Sequence, residues 1–351
     1  MKKIFVAMLA LAAATACSND ELVSVNQEAI GFDNAFINNS VRSEVDFSLD
    51  VNDLKYNAGF GVYGFVTAVA GTDTAPLFTN KKVYWSDNAW KYDATQYWID
   101  GATYNFAAIA PYSDGSKVDG SSWTVTNATP TATTLDFTSE IGQKDLIYAT
   151  ATATGKASGN EAVAFNFRHV LSKVKFTFEN QYNATNTTIA VTHTYVTNVP
   201  STATVELTSD NAVWTNHANE TSYENFGPAT SKTGAALSQI PFEKAEESYR
   251  ELFFIPVAVD VNGDAIAYDY LVTFGVNIYV NGTLIKSIKH ENKKLTFAPK
   301  PGCSYDVKVV LKADNIDPEH AQEPIEFTVT SIGGWDTDHN DNNTADDDIV
   351  M

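Results

Sequence analysis

Apolar residues recur at every second position in run after run of this chain. "KVKFTF" places Val174, Phe176 and Phe178 on one face and Lys173, Lys175 and Thr177 on the other, and "YDVKVVLK" does the same with Tyr305, Val307, Val309 and Leu311. Such alternation predicts strands with one buried and one wet face. Near the N-terminus two runs flank Arg42: Ile30, Phe32 and Phe36 precede it, and Val45, Phe47, Leu49 and Val51 follow it. Onward from there, short segments rich in Thr, Val, Tyr and Phe are punctuated by Gly, Asn, Asp and Pro, which is the composition of antiparallel β-structure. Asn262-Gly263 and Asn281-Gly282 have the residue types of tight hairpin turns. A helical period is sustained nowhere beyond two turns, the best stretch being Glu243 to Glu251. The pattern predicts an all-β fold of antiparallel sandwiches.

The first residues break this pattern. Lys2 and Lys3 precede an apolar run from Ile4 to Ala14 that is too short to span a bilayer, so residues 1–16 read as a signal peptide. Ala14, Thr15 and Ala16 lead into Cys17 in the manner of a lipobox, although the position three before the cysteine is Ala14 rather than Leu. Cys17 is therefore the candidate lipidation site and the mature N-terminus of a lipoprotein. With Cys17 acylated, Cys303 is the only thiol remaining, so stability must come from a packed core rather than a disulfide. Loss of residues 1–16 takes the net charge from −20 to −22, which argues against nucleic acid as a partner. The loop-rich text from Thr152 to Glu161 and the renewed strand spacing after it place a domain boundary near residue 170. Two sandwiches are expected, the second spanning 171–335. Residues 336–351 form an acidic tail whose only apolar cluster is Ile349, Val350 and Met351.

The chain is poor in catalytic constellations. His169, His193, His217, His290, His320 and His339 fall in no ligand or triad spacing, and no nucleophile elbow or phosphate loop occurs. Asp260, Asn262 and Asp264 begin like a calcium loop, but Ala265 and Leu271 stand where glycine and a bidentate carboxylate are needed. Asp336, Asp338 and Asn340 repeat the spacing and fail at Asp341. No enzyme activity, cofactor or metal is expected. Tyr84, Trp85, Trp90, Tyr92, Tyr97, Trp98 and Tyr104 crowd one region and support two readings, a sandwich core or a sugar-stacking platform. The second corresponds to an outer-membrane surface glycan-binding lipoprotein.

At "FRHVLSKVKFTFEN", Phe167 to Asn180, the sequence resembles the fimbrillin family of two-domain pilins and accessory fimbrial subunits. Further text in the same order supports this: Cys17, "IGF" at Ile30 to Phe32, the Arg42 region, "GFGVYGF" at Gly59 to Phe65, "YNFAAIAPY" at Tyr104 to Tyr112, "KDLIYA" at Lys144 to Ala149 and "GGW" at Gly333 to Trp335. The resemblance implies two tandem transthyretin-like β-sandwiches, export as an acylated (palmitate-bearing) lipoprotein to the outer-membrane surface, and assembly into an adhesive fimbria. Its implied partners are other fimbrial subunits in a head-to-tail polymer, an arginine-specific protease during maturation, and host or bacterial surface ligands. Mapped onto this chain, cleavage between Arg42 and Ser43 removes a pro-segment, residues 17–42, with its first strand, and leaves 43–170 as the first sandwich. The freed groove is then filled by a neighbour's strand, for which Ile349, Val350 and Met351 are the candidate donor. The sparse apolar content of that tail also leaves room for a tip, anchor or accessory role.

Overall fold

The computed structural model describes residues 28–37, 49, 51–69, 73–116, 120–142, 144–224, 226–228, 238–248, 250–258, 264–317 and 324–334. Cys17, Arg42, Ser43, the Asn262-Gly263 turn and the tail with Ile349, Val350 and Met351 lie outside the described residues.

The described chain is almost entirely β. Its strands are β1 (Phe32–Ile37), β2 (Phe60–Thr67), β3 (Thr74–Ser86), β4 (Ala89–Lys91), β5 (Thr103–Ala110), β6 (Ser121–Ala128), β7 (Ala132–Ser139), β8 (Ile147–Thr154), β9 (Val163–His169) and β10 (Ser172–Asn180). There follow β11 (Thr187–Thr208), β12 (Ala212–Glu224), β13 (Ile240–Pro241), β14 (Lys244–Glu247), β15 (Leu252–Phe254), β16 (Tyr268–Val280), β17 (Thr283–Phe297), β18 (Cys303–Leu311) and β19 (Phe327–Gly334). Two helical turns interrupt them, α1 (Val51–Asp53), which runs into a π turn over Leu54–Ala58, and α2 (Ala313–Ile316). Two local expectations are corrected. Val51, read as the end of a strand, opens α1, and its neighbour Leu54 is buried against the core. Glu243 to Glu251, the best helical stretch, contains β14, because Lys244 to Glu247 find ladder partners on β10.

Three sheets result. The first has the order β1-β9-β8-β5-β2-β3-β4, the second β14-β10-β18-β19 with β15 also on β10, and the third β17-β16-β11-β7-β6 with β12 and β13 on β11. Along one edge of β11, β16 pairs with Thr187 to Thr197 and β7 with Thr202 to Thr208, end to end. The other edge carries β12 over Tyr195 to Leu207. A single strand thus runs past two cores.

Those cores follow from alternation. Val174, Phe176 and Phe178 of β10 meet Tyr305, Val307, Val309 and Leu311 of β18 in one cluster, as predicted. A second cluster holds Phe60 and Val62 of β2, Phe106 and Ala108 of β5, and Phe165 and Phe167 of β9. The opposite faces of β2 and β5 present Tyr63, Ala107 and Ile109 to Leu135, Phe137, Val205 and Leu207 of β7 and β11 in a third. Burial on both faces explains why β5 reads as a nearly continuous apolar run rather than an alternating one. Lys173 departs from its predicted wet face: it is buried, with Nζ 3.3 Å from the buried Glu251 carboxylate. The Asn281-Gly282 turn is as expected, with φ of 50° and 75° joining Val280 to Thr283.

His290 on β17 is buried and stacked on Phe274 across the β16 ladder, ring centroids 5.1 Å apart. Burial, aided by the charge of Lys293, pushes its pKa from 6.5 down to about 4. The unfolded chain therefore takes up a proton between pH 6.5 and about 4 that the folded one refuses, so stability falls as pH is lowered through that window. Allowing for solvent screening, the loss is about 1–2 kcal/mol. His290→Phe is expected to remove this component, so that in thermal unfolding from pH 7 to pH 4 the Tm of the parent protein falls relative to that of the variant. A constant separation contradicts the assignment.

Candidate functional site: the slot held by the first strand

The segment from Glu28 to Ile37 is a wedge between two parts of the fold. On one side β1 runs parallel to β9, with Phe32 opposite Val163 and Ile37 opposite Phe167. The Val163 amide donates to Gly31 O at 2.8 Å. On the other side Ala29 and Tyr97 form an antiparallel bridge, the Ile30 amide donates to Gln96 O at 2.8 Å, and the Trp98 amide donates to Glu28 O at 3.0 Å. The Tyr92 hydroxyl adds a bond to Ile30 O at 2.8 Å.

Among the described side chains of this segment, Ile30 and Phe32 enter the core. Ile30 is 1% exposed and Phe32 5% exposed. The Phe32 ring stacks on Phe165 at 5.8 Å and meets Phe60, Phe78, Tyr92 and Phe106 edge-on at 5.4 to 6.4 Å. Each such pair adds about 0.5–1.5 kcal/mol beyond simple burial. Remove the segment, and five aromatic rings lose their common partner while the backbone of β9 is left unpaired along that edge.

A loop grips the start of the wedge. Gly159 N–H donates to Glu28 Oε1 at 2.8 Å, and Asn160 donates to Oε2 through both its backbone N–H and its side-chain Nδ2, each at 2.7 Å. Those donors, the backbone N–H of Asn160 foremost, hold the Glu28 carboxyl below the ordinary range. The loop is shaped by its own residues: Asn160 Oδ1 accepts from the Lys156 amide at 2.7 Å, and Gly159 takes φ +72°, a left-handed conformation that favours glycine.

A buried carboxylate meets the chain at Leu49. Asp145 and His169 are buried, with Asp145 Oδ2 2.8 Å from His169 Nδ1. The same oxygen accepts from the Leu49 amide at 2.9 Å, and Oδ1 accepts from the Leu146 amide at 2.8 Å. His169 is thus a hydrogen-bonded histidine at the end of β9. His217 Nε2 contacts Pro256 O at 2.6 Å, and His193 is exposed. Among the described residues no group of His, Cys, Asp and Glu is placed to hold a metal ion.

The aromatic cluster divides. Trp90, Trp98 and Tyr104 are buried in the core beside Phe32, Trp85 packs partly against them, and Tyr97 is 46% exposed. Their alternation serves packing, and they form no open platform. Sequence reasoning passed over Glu28, Asn160 and Asp145. The Gly159-Asn160 pair marks a turn by type, and Asp145 is a charged residue inside the apolar text "KDLIYA", but neither signal names its partner: Glu28 lies 131 residues from Gly159, and Leu49 lies 96 residues from Asp145.

A model of the family described as fimbrillin-like matches residues 49–335, which takes in most of the described fold. The chain belongs to the fimbrillin-like family. Over 195 residues the protein is 28% identical to the fimbrium subunit Fim1C of Phocaeicola vulgatus, a match that covers 50% of each chain. The chain therefore spans about half the length of that curated relative. A crystal structure of a fimbrial protein from Bacteroides vulgatus shares the fold, with a TM-score of 0.62 at 20% identity over 88% of this chain and 99% of that one. In this fimbrillin-like protein the matched residues begin at Leu49, the residue anchored to Asp145, so β1 and Arg42 lie ahead of them.

Proposed function

We propose that the protein is a structural subunit of a cell-surface fimbria, exported as a lipoprotein acylated at Cys17 and assembled by strand exchange after cleavage between Arg42 and Ser43. The observation that carries this reading is the wedge: a segment from Glu28 to Ile37 that fills a slot with Ile30 and Phe32 and is joined to the rest of the chain by the segment that contains Arg42. Its removal exposes β9 and an apolar slot together, and an added strand from a neighbour satisfies both at once. Contacts of this head-to-tail kind do not close on themselves, and they build a filament.

Protease choice fits the same scheme. Of the three arginines, Arg168 lies within β9, its guanidinium donating to Ser209 O at 2.9 Å and also to Thr208 O, while Arg250 reaches Glu224 O and precedes buried Glu251. Both bonds are engaged by the fold. Division into two tandem sandwiches with a boundary near residue 170 is part of the proposal. It is supported by one core drawn from Ile30 to Phe167 and another from Val174 to Ile325. Burial of Trp90 and Trp98 leaves no observation that favours the glycan-binding alternative.

N-terminal sequencing of protein shaved from the surface tests the reading. A start at Ser43 is expected, and Arg42→Ala is expected to leave the pro-segment attached and abolish polymer ladders on unheated gels. Assembled fibres made of chains that still begin at acylated Cys17 sink the shaft role and leave an anchor or accessory subunit.

A further inference from the structure

The loop from Lys156 to Asn160 does more than hold Glu28 in place. Its three donors converge on one carboxylate, two residues ahead of the first apolar side chain to enter the slot and four ahead of the second. Once residues 17–42 leave, these donors lose their acceptor while the slot loses Ile30 and Phe32. A replacement strand that lacks a carboxylate at the matching position leaves oriented N–H groups without an acceptor, and one displaced by a single residue turns its apolar side chains outward.

We propose that this loop is a carboxylate-reading site that sets the register of the strand replacing β1, and that Asp347 of a second copy is its ligand. The inference rests on the strand-exchange reading above. Among the residues after β19, the spacing of an acid, an aliphatic residue two positions on and an apolar residue four positions on occurs once, as Asp347, Ile349 and Met351. Laid over Glu28, Ile30 and Phe32, it puts Asp348 at Ala29, where the side chain is exposed. Val350 falls at Gly31, where an added Cβ meets only the Ala162 Cβ at an ordinary 3.6 Å. Met351 takes the place of Phe32, and its flexible thioether suits a cavity walled by aromatic rings. Among the described side chains of this segment Ile30 and Phe32 enter the core, and Ile349 and Met351 supply an apolar side chain at each of those two positions.

Fluorescent peptides test this on the full chain cut by an arginine-specific protease and freed of its pro-segment. Three peptides are used: residues 340–351, the same with Asp347→Asn, and the same with Asp348→Asn. Charge-assisted hydrogen bonds make the Asp347→Asn peptide bind about tenfold more weakly, with Asp348→Asn within about twofold of the parent. Asn160→Ala in the protein weakens the parent peptide and abolishes its advantage over Asp347→Asn. Equal binding by all three peptides overturns the register assignment while leaving strand capture standing. A control peptide of residues 26–37 separates the two levels: if it binds and the tail peptides do not, Asp347 is not the ligand. If neither binds, the strand-exchange reading itself fails.

Discussion

Phe32→Ala is expected to lower the unfolding free energy of the uncut protein by about 3–5 kcal/mol, the range for deleting a fully packed aromatic side chain. The size of the effect follows from position: one ring on an edge strand touches five others. Urea denaturation reads the loss directly, with Ala29→Ser, an exposed position on the same segment, shifting stability by no more than about 0.5 kcal/mol. The same substitution speeds release of the pro-segment after cleavage at Arg42, by about 100-fold or more if the energy appears in the off-rate. A loss below about 1 kcal/mol means that the slot closes on itself without the strand, and strand exchange has no apolar drive. Stability of the precursor and retention of the pro-segment are thus one quantity measured in two ways.

Asp145→Ala is the second large effect, at about 3–5 kcal/mol, because it strands a buried imidazole and the amides of Leu49 and Leu146 in one step. Replacement of both members, as in Asp145→Leu with His169→Leu, is expected to recover part of that loss, since apolar side chains of similar size need no polar partners. A double-mutant cycle in denaturant measures the difference, and strict additivity refutes coupling between the two residues. Position adds a functional readout. Leu49 is tied to Asp145 seven residues after Arg42, so the single variant is expected to let an aminopeptidase trim a cut chain past Leu49, where the parent protein stops it.

Both variants act at places where local text and long-range contact meet. Alternation in "KVKFTF" and "YDVKVVLK" was legible because a strand with one wet face carries its burial in its own period, and the Asn281-Gly282 turn because left-handed φ angles favour those residue types. Where a strand is buried on both faces, as in β5, the period disappears, and where a helical turn is stabilised by one packed residue, as at Leu54, there is too little of it to detect. Lys173 shows the other limit. It sits on the polar phase of its strand and is nevertheless buried, because Glu251 comes to it from a segment far along the chain.

By itself, the sequence determined the all-β class, a first strand that includes Phe32, the scarcity of arginine and the family to which the chain belongs. These are properties of residue type and spacing, which act locally and can be read in a line. Tertiary structure alone decided that Phe32 closes a ring of aromatic side chains, that Trp90 and Trp98 pack inward, that Glu28 is held by Gly159 and Asn160, and that Asp145 anchors Leu49. Each of those depends on which distant segments the folded chain brings within a few ångströms, and hydrogen bonds and ring contacts fall off too steeply with distance to leave a trace in spacing along the chain.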